Sequence, residues 1–319
     1  VIILISTLVV LLGTLYPIIA DSFNLGQVSV GPPYFNALFV PLTWLLLVAM
    51  GMGSNIRWKQ DSRPLLGAGM VIAVSSLVLA AIIAYFTSPS AMLNIGVTLA
   101  VSFWVLLWMV IDFKDKIKNA PSRLNGLRQL RLSYWGQQIA HIGVIVAVIG
   151  VAFTSTLSIE RDVALGPNDS VNVQGYDFTV KGFSEVKGSN FDATQAEVTV
   201  SKDGQTVTTL HPEKRNYIIS MMPMTEAAID ASLMRDVYVA LGEPIAENSN
   251  EWAFRIYVKP LIRWIWLGAL IMAFGALLSM LDKRYRIKKT RTPAQIAAKK
   301  SGFATVADLE SQAIKTGDQ

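Results

Sequence analysis

The 319-residue sequence contains no cysteine. Disulfide frameworks, thiolate nucleophiles, zinc–thiolate sites and covalent haem attachment to this chain are therefore excluded. Charge is scarce as well: 16% of residues are charged and 52% hydrophobic, with a mean hydropathy of +0.42. That balance belongs to an integral membrane protein. There are two histidines, His141 and His211. No P-loop, Gly-rich dinucleotide fingerprint or nucleophile elbow occurs. The formal net charge of +5 says nothing for nucleic acid, because the charges are segregated. Ser155 to Val258 holds 15 acids and 8 bases, which leaves 20 of the 28 bases and 8 of the 23 acids elsewhere. The basic character belongs to membrane-flanking loops and a tail.

What is present is a series of apolar runs near the ~20 residues a helix needs to cross a bilayer. Six spans are expected, at about Val1–Tyr16, Phe35–Gly53, Pro64–Phe86, Ala91–Ile111, Trp135–Thr154 and Leu261–Leu281. The chain is already apolar at Val1, with no Met and no basic n-region before it. It therefore reads as a span under way, in the C-terminal part of a longer or split polypeptide. Lys and Arg occupy alternate loops. The second loop has Arg57, Lys59 and Arg63, and the fourth has Lys114, Lys116, Lys118, Arg123, Arg128 and Arg131. The tail has Lys283, Arg284, Arg286, Lys288, Lys289 and Arg291, whereas loops one and three have none. By the positive-inside rule, the basic loops and tail are cytoplasmic, and the large insert lies outside.

The expected fold class is a membrane all-α polytopic helix bundle with an inserted all-β domain, a small barrel or sandwich. The division is 1–154 for helices one to five, 155–258 for the β-rich insert, 259–282 for the last span and 283–319 for the tail. The insert alternates in short β-branched runs, among them Tyr176–Phe183, Ala196–Ser201, Thr206–Leu210, Asp236–Ala240 and Ala253–Val258. Lys202-Asp-Gly-Gln205 reads as a hairpin, because Asp-Gly tolerates positive φ. A docking surface and a stabilising cap are equally open roles for this domain. His211, in a turn before proline, reads as a surface residue. The tail beyond Arg291 reads as polar, with a weak helical patch at Pro293–Lys300.

The fifth span, Trp135-Gly-Gln-Gln-Ile-Ala-His141-Ile-Gly-Val-Ile-Val-Ala-Val-Ile-Gly150, holds the only histidine at membrane depth. An ionisable group there is costly and counts as a functional candidate. Gly136, Ala140, Gly143, Ala147 and Gly150 form one stripe of small residues at ~100° per residue. Such a stripe lets another helix approach closely. His141 points roughly 140° away from it, with Gln137 and Gln138 one turn below. A metal-ligand or proton-relay role and a plain interhelical hydrogen bond both remain open. Arg263, at the outer end of the last span, can snorkel to water. Otherwise the spans read as nearly free of ionisable groups, which weighs against an ion-coupled transporter. A lone imidazole beside a close-packing face suits an axial haem ligand. In the first outer loop, Pro32 and Pro33 suggest an extended entry to the second span. Tyr34 and Phe35 sit at aromatic-belt height, and the scattered tryptophans read as belt or packing residues.

Gly13-Thr-Leu-Tyr-Pro17, Ser29-Val-Gly-Pro-Pro-Tyr-Phe-Asn36 and Gln138-Ile-Ala-His-Ile-Gly143, with a β-rich outer domain and one last span, resemble the C-terminal half of the CcmF/NrfE haem lyase family. The resemblance covers nearly the whole chain. It implies a multi-pass bacterial inner-membrane protein with residues 155–258 in the periplasm and a cytoplasmic tail. Such a protein receives haem from the chaperone CcmE and helps attach it to the CxxCH thiols of apocytochrome c. CcmH- and CcmI-type subunits would be its partners, together with the upstream half of the same protein. The family also holds a haem b inside the membrane between two histidines, as an electron carrier that quinol could feed. His141 matches one ligand by position, and its mate would lie upstream. On that reading the chain alone does not carry out the reaction. A haem or small-molecule transporter and a structural assembly subunit are the alternatives.

Overall fold

The computed structural model describes residues 1–282 apart from 27–28, 54, 56–64, 88–91, 120, 220–221 and 247–249. The basic loop residues Arg57, Lys59 and Arg63, residues 88–90 of the third loop and the basic tail with its helical patch lie outside the described residues. The membrane part consists of α1 (Ile2–Ser22), α2 (Pro32–Gly53), α3 (Leu65–Thr87), α4 (Met92–Ile117), a short α5 (Arg123–Gln129), α6 (Leu132–Leu157) and α7 (Ile262–Met280). Six of these are long and apolar enough to cross a membrane. In lipid a helix satisfies its backbone polar groups internally, so these apolar runs have no competing local structure.

Several helices outrun the apolar runs. α4 continues six residues past Ile111, which brings Asp112 into the helix. α6 begins three residues before Trp135 and ends at Leu157. Its N-cap, Arg131, makes no side-chain cap. Instead the Ser133 N–H donates to Asp282 Oδ2 at 2.8 Å, so a carboxylate just past α7 closes the start of α6. Pro32 and Pro33 do not hold an extended entry. They occupy the first turn of α2, where a missing N–H costs nothing and φ is already helical.

Among the described residues the β insert has ten strands: β1 (Ile159–Leu165), β2 (Ser170–Val173), β3 (Tyr176–Lys187), β4 (Phe191–Lys202), β5 (Gln205–Leu210), β6 (Glu213–Tyr217), β7 (Pro223–Glu226), β8 (Ala228–Ala231), β9 (Arg235–Pro244) and β10 (Trp252–Pro260). One sheet runs β1-β10-β9-β8, and the other β2-β3-β4-β6-β7 with β5 also on β4. Every pairing is antiparallel. β4 pairs with β6 along its first half and with β5 along its second. The two sheets close face to face on one core. Phe178, Val180, Val198 and Val200 of one sheet meet Val237, Val239, Phe254 and Ile256 of the other. The Asp203-Gly204 hairpin forms with both residues at positive φ (51° and 77°). His211 is exposed between β5 and β6.

The insert enters and leaves the membrane side by side. Thr154 near the end of α6 donates its hydroxyl to the Pro260 carbonyl at 2.7 Å. Leu261 then turns in the left-handed region (φ 53°) to start α7. At the other end of the bundle order, Tyr34 of α2 donates to the Val9 carbonyl at 3.0 Å. A Cβ on Gly13 would meet Phe35 Cζ at 3.0 Å and clash with Tyr34. The two aromatics therefore lock α1 to α2 as packing residues.

Candidate functional site

α6 lies between α4 and α7, and its two faces do different work. On one face Gly136, Ala140, Gly143, Ala147 and Gly150 meet α7. A Cβ on Gly143 would lie 2.6 Å from Met272 N and 2.7 Å from Gly268 O, both backbone atoms. A Cβ on Gly275 would lie 2.5 Å from Gly136 O and 2.6 Å from Ala140 N. The contact is reciprocal, because α7 supplies its own small residues at Gly268, Gly275 and Ser279. Backbone-to-backbone approach of this kind fixes the rotation of α6, since no side chain is left to adjust.

The opposite side of α6 carries Tyr134, Gln138, His141 and Ile145, spaced one turn apart. Ile145 is buried and packs into a cluster with Val105 and Met109 of α4. Gln138 is buried and donates to Asp112 Oδ2 on α4 at 3.3 Å. Asp112 is 6% exposed, with Lys116 4.0 Å away at the edge. The Tyr134 hydroxyl is buried in the same cluster, beside Asp112 and Gln138. A step further into the membrane, His141 is half-buried, and its Nδ1 is buried with no partner among the described residues.

The polar support expected from two glutamines is thus reduced to one. Gln137 faces outward, exposed, and Gln138 uses its amide on Asp112. Asp112 is the site residue that escapes the sequence reading. The signal for it was the Asp112/Lys116 pair at i, i+4, which continues a helix beyond the apolar run. Among the described residues no three His, Cys, Asp or Glu side chains converge to hold a metal ion. A haem makes a smaller demand. Its porphyrin fills the equatorial positions, and the protein adds one or two axial ligands. A single imidazole whose Nδ1 is enclosed by protein, which leaves Nε2 to face a ligand, on a helix held by its glycine seam with α7, fits that demand.

Residues 156–260 match the family model described as the CcmF C-terminal β-sandwich. The chain is 44% identical over 290 residues to the cytochrome c-type biogenesis protein CcmF of Pseudomonas fluorescens, covering 90% of this chain and 43% of that protein. It is 38% identical over 285 residues to CcmF of Escherichia coli (strain K12), covering 88% of this chain and 42% of that protein. The chain matches the C-terminal portion of CcmF-family proteins. NrfE of Haemophilus influenzae, 33% identical over 293 residues (89% of this chain, 43% of that protein), is a more distant relative within the same set. A solved structure of cytochrome c haem lyase CcmF superposes with a TM-score of 0.65 at 20% identity, over 86% of this chain and 43% of that one. That likeness establishes the fold of a CcmF-type helical membrane region with its β insert. The chain spans less than half the length of the curated relatives it matches.

Proposed function

We propose that this chain is the C-terminal portion of a haem lyase for cytochrome c maturation, and that His141 is an axial ligand to a haem b within the membrane. The observation that carries the reading is His141 itself: an imidazole at membrane depth, its Nδ1 buried with no partner among the described residues, on a helix locked by glycine contacts to α7. With Nδ1 enclosed by protein, Nε2 is the ring nitrogen left to bind an iron. The CcmF relatives supply the rest of the argument. The second axial ligand belongs to the portion of the relatives that this chain does not span.

When bound, the haem supplies one-electron transfer, which keeps the iron of the incoming haem reduced during thioether formation. The chain's own residues hold and orient. The seam between α6 and α7 sets the direction of the His141 ring, and Ile145 with its α4 neighbours excludes water on the next turn. Asp112 and Gln138 form a buried polar pair on the side marked as cytoplasmic by the basic loops. The β-sandwich lies in the periplasm on this reading, and is the surface available to the haem chaperone CcmE, to CcmH- and CcmI-type subunits and to apocytochrome c. Quinol is the candidate electron donor.

The test is maturation in cells. Cells whose only copy of the full-length protein carries His141→Ala should show reduced covalent haem staining of their c-type cytochromes. Staining equal to wild type would refute the ligand role. Asp112 adds a buried ionisable group, so the argument against a transporter from the emptiness of the spans is weaker than the sequence suggested. Haem that exchanges freely with added haem would favour that reading.

A further inference from the structure

A groove of about 490 Å³ lies where the β-sandwich meets the membrane, between the β8–β9 turn and the first two turns of α7. Its wall on α7 is Arg263, Trp266, Leu267 and Leu270, at i, i+3, i+4 and i+7 on one helical face. Trp266 and Leu270 are 73% and 69% exposed. The facing wall is Ile229 and Leu233, apolar side chains that the sandwich leaves outside its own core. The turn is held in place at two points. The Leu261 N–H donates to the Met234 carbonyl at 3.0 Å, and the Ser232 N–H donates to Asp236 Oδ1 at 3.1 Å.

The groove is charged at one end and apolar along the rest. At the charged end the Arg263 Nε donates to both oxygens of Asp236, at 2.9 and 3.2 Å. Asp236 is buried, whereas the Arg263 side chain is 48% exposed. The carboxylate thus fixes the guanidinium from behind. Its two terminal nitrogens have no protein partner among the described residues. An arginine that merely snorkels to water needs no such buried brace. Lys259 is the cross-strand partner of Asp236, and its ammonium lies at the rim, 5.2 Å from the ring of Tyr238, which lines the groove, and 4.6 Å from that of Tyr257, which does not. Lys259 has no carboxylate partner among the described residues. Arg235, the next base along, is already paired with Asp230. Arg263, Lys259 and Asp236 together leave one uncompensated positive charge at the head of an apolar channel.

We propose that this groove binds one phospholipid, with its phosphate on the Arg263 fork beside Lys259 and an acyl chain along Trp266, Leu267 and Leu270. A planar guanidinium presents paired N–H donors that match a phosphate. The single excess charge matches a phosphodiester, and the volume lies within the range of small-molecule sites. The polarity order follows the bilayer: Arg263 stands one residue inside the start of α7, and Leu270 lies about 10 Å deeper at 1.5 Å per residue. The lipid would fill the wedge between sandwich and membrane and fix the tilt of the β domain. This assignment is independent of the haem reading.

The experiment uses the full-length protein, extracted in mild detergent from phosphatidylethanolamine–phosphatidylglycerol membranes and weighed intact by native mass spectrometry. Wild type should retain one phospholipid that millimolar inorganic phosphate does not displace. Arg263→Gln should lower the retained fraction about tenfold. Because that variant leaves Asp236 buried without its partner, Lys259→Gln and Trp266→Ala, which keep the ion pair, should also lower retention. The proposal is overturned if wild type carries no phospholipid, if free phosphate displaces it, or if Lys259→Gln and Trp266→Ala retain it as wild type does. It is equally overturned if a photo-crosslinker at Leu270 captures the upstream part of the protein instead of lipid.

Discussion

Replacing Gly143 with Ala adds one methyl group, yet it should break a backbone-to-backbone contact of the membrane bundle. The new Cβ would sit 2.6 Å from Met272 N, against the 3.4 Å at which ordinary contact begins. Neither obstacle is a flexible side-chain end, since both Met272 N and Gly268 O belong to the backbone of α7. The helices must therefore part by about 0.8 Å locally, and a gap of that size forfeits roughly a quarter to a half of each dispersion contact along the seam. Overpacking of this kind costs about 1–3 kcal/mol. Gly275→Ala meets the same obstacle from the other side, against Gly136 O and Ala140 N. Once one substitution has separated the helices, the second adds less, so the double variant should cost less than the two singles together. Gly67→Ala is the control, because nothing lies within 4 Å of its Cβ position on α3. There the helix propensity of alanine should stabilise by up to ~1 kcal/mol. Thermal unfolding of the full-length protein in detergent reads all four variants. Melting temperatures for Gly143→Ala and Gly67→Ala that move together would refute the close-packing argument. Gly143→Leu should go further and lower the yield of folded, haem-containing protein.

Asp112→Leu removes the acceptor of the buried Gln138 amide and should cost about 1–3 kcal/mol, while Asp112→Asn should cost less; equal melting temperatures would show that the pair contributes nothing. Asp282→Ala should cost about 0.5–2 kcal/mol, because the α6 N-terminus loses the acceptor for the Ser133 N–H, and unchanged amide exchange at the start of α6 would contradict this. In the β-sandwich, burial pushes the Glu213 carboxyl up, but hydrogen bonds from Arg215 and Gln195 outweigh it and hold the group below its usual 4.5. A carboxylate with a depressed folded-state value contributes stability that is complete above 4.5 and disappears as the pH falls through that folded-state value. Glu213→Gln should therefore flatten the loss of stability in acid, and an unchanged acid profile would exclude Glu213 from it.

The membrane architecture was legible because lipid makes it so. Apolar runs of span length can only be helices, and each expected span corresponds to one. The helix ends were less legible, because they are set by polar residues that still find partners. Asp112 continues α4 by bonding Gln138, and Asp282 allows α6 to start at Leu132. The stripe on α6 could be read from its spacing, but its partner could not. Gly268, Gly275 and Ser279 on α7 carry the matching signal at i, i+7 and i+11, separated from α6 by the whole β insert. Within the insert the β-branched runs became strands. β6 (Glu213–Tyr217) and β8 (Ala228–Ala231) are short and carry little alternation, because each is stabilised by the neighbour it pairs with more than by its own propensity. His141 stood out as an ionisable group in an apolar helix. Its Nδ1, buried with no partner among the described residues, is a product of packing that no spacing could reveal.

The central claim, that His141 holds a haem inside the membrane, is tested most directly by an absorption spectrum. The full-length protein would be purified in detergent and recorded oxidised and then reduced, with and without His141→Ala. The account predicts a sharp low-spin b-type spectrum in the wild type that weakens or changes ligation in the variant. Identical spectra, or no haem in either protein, would contradict it and return His141 to a packing role.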